Sequence, residues 1–160
     1  MDFKYIQHYP DHLLQQVQQL IDTNQLGAML KKNYPDEHQI RTSRALYDYT
    51  MELKNRYMRK SAPLSKVEFN DKAPAYNALG IHQRISKVHG GKLKAKKEIH
   101  IDTRFRDVPE SFLRMIVVHE LAHFKEVEHN KSFYNLCQHM EPNYHQLEFD
   151  LRLYLTWLEL

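Results

Sequence analysis

The chain has 160 residues, 42% of them hydrophobic and 27% charged, with a net charge of +3. That length suits one domain, 1–160, able to bury a core without staples, and a single cysteine, Cys137, excludes an internal disulfide and fits a reducing compartment. No run of about 18 apolar residues offers a membrane span, and the opening MDFKYIQHYPDH lacks a basic segment followed by an apolar one, so no signal peptide is expected and the cytoplasm is the expected location.

In chain order, residues 1–62 form an N-terminal helical part and read as two helices. Leu13, Val17, Leu20 and Ile21 share one face of the first, and Gly27 is expected to interrupt its end. Leu46, Tyr49, Leu53 and Tyr57 recur at helical spacing in the second, which should stop before Pro63. Residues 63–160 then hold a small sheet and the core that carries the chemistry. Val67 and Phe69 alternate with polar neighbours, as in a short strand. Two extended segments, Ile81 to His89 and Lys92 to Asp102, flank Gly90-Gly91 and predict a hairpin, hence an antiparallel sheet. In the second arm Leu93, Ala95, Ile99 and Ile101 share one face, while Lys92, Lys94, Lys96, Glu98, His100 and Asp102 share the other. The positive charge is local: between Arg84 and Arg106 there are eight basic residues and two acidic ones.

From Pro109 the pattern is helical again. Phe112, Leu113, Ile116, Val117, Leu121 and Phe124 make this helix central and buried, and Glu110 suits its positive end. Asn130 is an expected N-cap for a helix reaching Met140. Pro142 opens a last helix with Leu147, Leu151, Tyr154, Leu155 and Leu158 inward. Helices, a small sheet, then helices make an α+β fold.

The central helix contains His-Glu-Leu-Ala-His at 119–123. Positions i and i+4 of a helix point the same way, so His119 and His123 can grip one zinc ion. Glu120 beside them can take a proton from an attacking water, with the ion as Lewis acid. Two histidines and a glutamate in so apolar a helix are costly without a compensating ligand. A catalytic zinc usually takes three protein ligands and leaves one position open. His129, six residues after His123, has the spacing of the third histidine in metzincins, although Glu126 stands where those enzymes have glycine. Glu141 and Glu148 compete for the same role. His139 and His145 read as surface or capping residues, and Cys137 as a small buried side chain.

The stretch FLRMIVVHELAHFKEVEHNKSFYNLCQHMEPNYHQLEFDLRLYLT resembles the YgjP family of small bacterial proteins, as does the upstream GGKLKAKKEIHID. That family is similar to SprT-like and WLM metallopeptidase domains, in which HExxH is followed by a third histidine shortly before an aromatic residue. The resemblance implies His119, His123 and His129 as ligands, with Phe133 and Tyr134 behind, Glu120 as catalytic acid/base, and a minimal zincin-like fold with a short antiparallel sheet on the motif helix. It implies metallopeptidase-type chemistry or, as the alternative, a pyrophosphatase converting UTP to UMP and diphosphate.

The residues themselves bear on that choice. For peptide hydrolysis, the strand near Lys92–Asp102 could pair with an extended substrate, and Tyr134 is a candidate oxyanion donor. For a triphosphate, Arg84, Lys87, Lys92, Lys94 and Lys96 could meet the negative charge. The plainer reading of that cluster is a solvated strand face, and of Tyr134, core packing. Association of the basic segment with nucleic acid is a third, weaker reading. A purely structural zinc site fits badly, because a closed site needs no base and takes four ligands. A zinc-dependent hydrolase, metallopeptidase-like first, is the resulting expectation, with another divalent ion open as the native metal.

Overall fold

A computed structural model describes residues 3–71 and 98–160. Its elements run α1 (Asp11–Asp22), α2 (Leu26–Asn33), α3 (Ser43–Tyr57), β1 (Lys66–Phe69), β2 (Glu98–Ile101), a 3-10 turn (Thr103–Arg106), α4 (Glu110–Ala122), α5 (Lys131–Met140) and α6 (Tyr144–Leu158). The α+β expectation holds. The Gly90-Gly91 hairpin and Arg84, Lys87, Lys92, Lys94 and Lys96 lie outside the described residues.

The sequence reading of residues 1–62 as two helices needs correction, because three form. The first ends at Asp22, and the chain turns at Asn24, whose φ of 57° is left-handed. Asparagine tolerates that conformation because its short polar side chain can bond locally. Gly27 therefore does not end a helix; it lies inside α2. Its missing side chain makes room for α6: a Cβ there would sit 2.6 Å from Nε1 and 2.8 Å from Cε2 of Trp157.

The two described strands pair in parallel, not antiparallel, in the register Val67 to Ile99 and Phe69 to Ile101. Residues 70–97 separate them, and that length is what a parallel crossover needs, whereas a tight hairpin would have forced antiparallel pairing. Val67, Phe69, Ile99 and Ile101 are buried. The opposite face is polar, with His100 3.1 Å from Glu68 and 3.3 Å from Glu98. The second strand stops at Ile101. Asp102 is buried rather than outward, and its carboxylate accepts from the Arg104 amide at 2.8 Å to start the 3-10 turn.

At the centre lies α4, which touches α3, α5, α6 and β2. Nine of its 13 residues are buried, including Met115 and Val118 on the side away from the Ile116 stripe. A helix buried on most of its surface is enclosed by its neighbours, and here only Glu110, Ser111, Arg114 and Glu120 are half-buried. Pro109, expected as the first helical residue, caps the helix instead, with Glu110 first.

Gly27→Ala tests the packing of α2 on α6. Alanine gains about 1 kcal/mol in helix propensity, but overpacking against the indole costs about 1–3 kcal/mol. We expect a lower urea midpoint at unchanged slope. In a Trp157→Ala background the same substitution should raise the midpoint.

Candidate metal centre

His119 lies on the last turn of α4 and His123 is its C-cap, with φ −65° and ψ −13°. The near-helical backbone at His123 keeps the i, i+4 geometry, so both rings project to the same side. His119 is only 2% exposed, whereas His123 is half-buried and His129 is exposed. The site is thus a wedge, closed behind His119 and open beside His129.

The three rings converge through their Nε2 atoms. Nε2 of His123 lies 3.1 Å from that of His119 and 3.0 Å from that of His129. One ligand atom from each histidine falls within a group no wider than 4.8 Å. Two nitrogens at 2.0–2.1 Å from a tetrahedral ion are roughly 3.4 Å apart, so the separations are close to those of a shared metal. Tautomers favour the same reading. Nδ1 of His123 is 2.9 Å from the backbone oxygen of Glu126. A carbonyl only accepts, so that nitrogen carries the proton and Nε2 of the neutral ring is a lone pair. A lone pair packed 3.0–3.1 Å from two other ring nitrogens needs a cation or a shared proton between them. The residues fit a divalent metal.

How the chain reaches His129 without the glycine turn is now visible. After His123 it coils through Phe124, Lys125 and Glu126, whose amides donate to the carbonyls of Leu121 and Ala122 at 3.0–3.1 Å. This brings the Glu126 carbonyl back over His123, so the residue in the place of glycine also fixes a histidine tautomer. Asn130 then caps α5, its side chain accepting from the Phe133 amide at 2.8 Å. The cap places His129 on the residue before it and Phe133 in the first turn.

Phe133 is the floor of the site. It is fully buried, and its ring centroid is 5.0, 4.5 and 4.9 Å from those of His119, His123 and His129. Behind His119, Nδ1 is 2.8 Å from the Tyr144 hydroxyl at the start of α6. Burial pushes the Tyr144 hydroxyl well above its ordinary pKa, with the charge of Glu148 adding to the shift, so it stays neutral. Tyr144 escaped the sequence reading, although it stands three residues before Leu147 on the same inward stripe; a tyrosine there carries both core bulk and a polar tip.

Other candidates fall elsewhere. Glu141 is held 3.0 Å from Arg114 and accepts from the Asn143 amide at 2.9 Å. Glu148 lies 3.4 Å from Arg152. Neither joins the histidine cluster. Glu120 is half-buried on α4, one residue after His119. Tyr134 is half-buried, with its ring 6.4 Å from that of His129 and 5.2 Å from that of His145. Its hydroxyl pKa is raised, first by burial and then by the charge of Glu148.

Comparison with known proteins gives concordant results. The family model "YgjP-like, metallopeptidase domain" matches residues 11–154. A protein of Escherichia coli (strain K12) named UTP pyrophosphatase is 57% identical over 157 residues, covering 98% of this chain and 94% of that protein. No solved structure matches. Among the described residues, no helix is long and apolar enough to cross a membrane. The chain is a hydrolase, and it belongs to the YgjP-like metallopeptidase-domain family.

Proposed function

We propose that the chain is a zinc-dependent hydrolase in which His119, His123 and His129 hold the ion and Glu120 is the general base. The observation that carries this reading is the convergence of three Nε2 atoms, with Glu120 one residue after His119 on α4. Zinc at that position supplies Lewis-acid chemistry, polarising the electrophile and lowering the pKa of water towards about 7. The chain's own residues do the rest. Glu120 takes the proton from the attacking water and returns it to the leaving group, general acid–base work worth roughly 10²–10⁴-fold in rate. Phe133 and the buried side of His119 exclude solvent from one side, which strengthens each charge interaction within. The exposed side at His129 admits substrate. Residues 1–160 act as one domain in this reading, and a reducing cytoplasm is its setting.

For the substrate, the similarity to a protein named UTP pyrophosphatase supports a nucleoside triphosphate, UTP first, cleaved to UMP and diphosphate. The basic side chains Arg84, Lys92, Lys94 and Lys96 are proposed to meet its phosphates. Peptide hydrolysis is the second reading, supported by the metallopeptidase-domain match, with Tyr134 as its candidate oxyanion donor. Contact of the basic segment with nucleic acid remains an adjunct to either.

Substitution Glu120→Gln should lower turnover by roughly 10²–10⁴-fold while zinc remains bound by elemental analysis; a fully active variant would overturn the assigned base. Incubation of zinc-loaded protein with UTP, other nucleotides and unfolded protein decides the substrate. Diphosphate release that depends on Glu120 is expected, and cleavage of unfolded protein without it would replace the first reading with the second.

Removing metal supplies a further test. Ligand binding to the native state alone stabilises by about 2.7 kcal/mol at 100-fold excess over Kd. A chelator should therefore lower the melting temperature, and zinc should restore it. His129→Ala should shrink that zinc-dependent increment and leave the metal-free melting temperature close to that of the metal-free parent, because His129 is exposed.

A further inference from the structure

Cleavage of UTP to UMP and diphosphate puts the α-phosphate at the reacting position. Diphosphate leaves on one side, and the nucleoside is held on the other, its base one sugar away from the histidine cluster. The phosphates are met by charge, and the base needs a surface of a different kind. It offers a flat π-face, and single nucleotides are commonly held by stacking that face on aromatic side chains.

Such a surface adjoins the exposed histidine. Tyr134 follows Phe133 on α5, and successive helical residues point about 100° apart, so Tyr134 does not join the floor beneath the three histidines. Its ring stands at 84° to that of Phe133 with the centroids 5.1 Å apart, and lies 6.4 Å from the ring of His129. His145, the second residue of α6, is exposed, and its ring is 5.2 Å from that of Tyr134 at an angle of 38°. Tyr144, fully buried, backs both, with ring centroids 6.2 Å from Tyr134 and 5.6 Å from His145. A buried tyrosine thus supports a shallow corner of two rings, one half-buried and one exposed, that begins beside the open side of the histidine cluster.

We propose that Tyr134 and His145 form the platform on which the base of the nucleotide rests. The inference rests on the nucleotide reading proposed above. It uses the ring of Tyr134 and not the hydroxyl, and so differs from the oxyanion role that peptide hydrolysis would give the same residue. Stacking tolerates every base, because each has a π-face. The platform therefore supplies affinity and orientation and does not itself select uracil.

The test uses the full zinc-loaded chain and calorimetry with two probes. One is α,β-methylene UTP, whose carbon bridge resists cleavage; the other is diphosphate, which carries charge without a base. Tyr134→Leu and His145→Ala should each weaken binding of the analogue roughly 5- to 150-fold, the range for losing a base–aromatic contact, and leave diphosphate binding unchanged. Tyr134→Phe should recover most of what Tyr134→Leu loses, since it restores the ring without the hydroxyl. Unchanged affinity for the analogue in either variant, equal losses for both probes, or a phenylalanine variant as weak as the leucine one would overturn the platform. Should Tyr134→Leu fail to fold, His145→Ala, at an exposed position, decides alone on the same two probes. A parent protein that neither binds the analogue nor releases diphosphate from UTP would sink the nucleotide reading and the platform with it. A parent that does both, with indifferent variants, sinks only the platform.

Discussion

Burial of the His119 imidazole inside an apolar helix, with the half-buried His123 at its end, is the constraint from which the rest of this structure follows. Leaving a buried polar group unsatisfied costs about 1–3 kcal/mol, and α4 carries His119 where bulk water scarcely reaches. The His119 ring therefore has to find partners at both nitrogens from the protein or from a bound ion. The Nδ1 partners come from two directions: the Glu126 carbonyl from the chain leaving the helix, and the Tyr144 hydroxyl from α6. The Nε2 atoms are turned towards one another and towards His129. Such an arrangement is unfavourable for three neutral rings and favourable around a cation, so the fold stores its readiness for metal in the orientation of its hydrogen bonds.

The surrounding elements follow from that need. One histidine is buried, one half-buried and one exposed, which gives the cluster a protected back and an accessible front. The back requires a large apolar side chain in contact with all three rings, and the Asn130 cap delivers Phe133 there by setting where α5 begins. Arg114 fastens the far end of α5: its guanidinium donates to Glu141 and to the Met140 carbonyl, both at 3.0 Å. Both ends of α5 are thus tied to the segment that bears the histidines, which keeps His129 in register although it is itself exposed.

Much of this was legible in the sequence, and the parts that were not share a cause. HELAH, the apolar run around it and the Asn130 cap are local signals, each readable within a turn or two of helix, and they located the histidines and α4 to α6. The parallel sheet was not legible, because a four-residue alternating strand looks the same in either direction and its partner lies across residues 70–97. The third N-terminal helix was hidden because Gly27, a helix breaker by propensity, is placed for contact with Trp157 from the other end of the chain. Tyr144 was hidden for the same reason: its importance comes from what α4 and α5 bring to it. Local chemistry was visible, and contacts between distant segments were not.

The division of labour between the site and its surroundings bears on substrate. A cation with one open position beside a carboxylate activates water equally well for a carbonyl or a phosphorus centre, so the histidine cluster does not discriminate between them. Discrimination falls to charge. A triphosphate brings several negative charges that an extended peptide lacks, and these must be met by cations close to the reacting group. Of the eight basic residues between Arg84 and Arg106, two already have partners in the fold: Arg104 is 3.2 Å from Asp102, and Arg106 lies 4.8 Å over the ring of Phe69. The other six, Arg84 to Lys97, form a sequence-local excess in a chain whose remainder carries more acidic than basic residues.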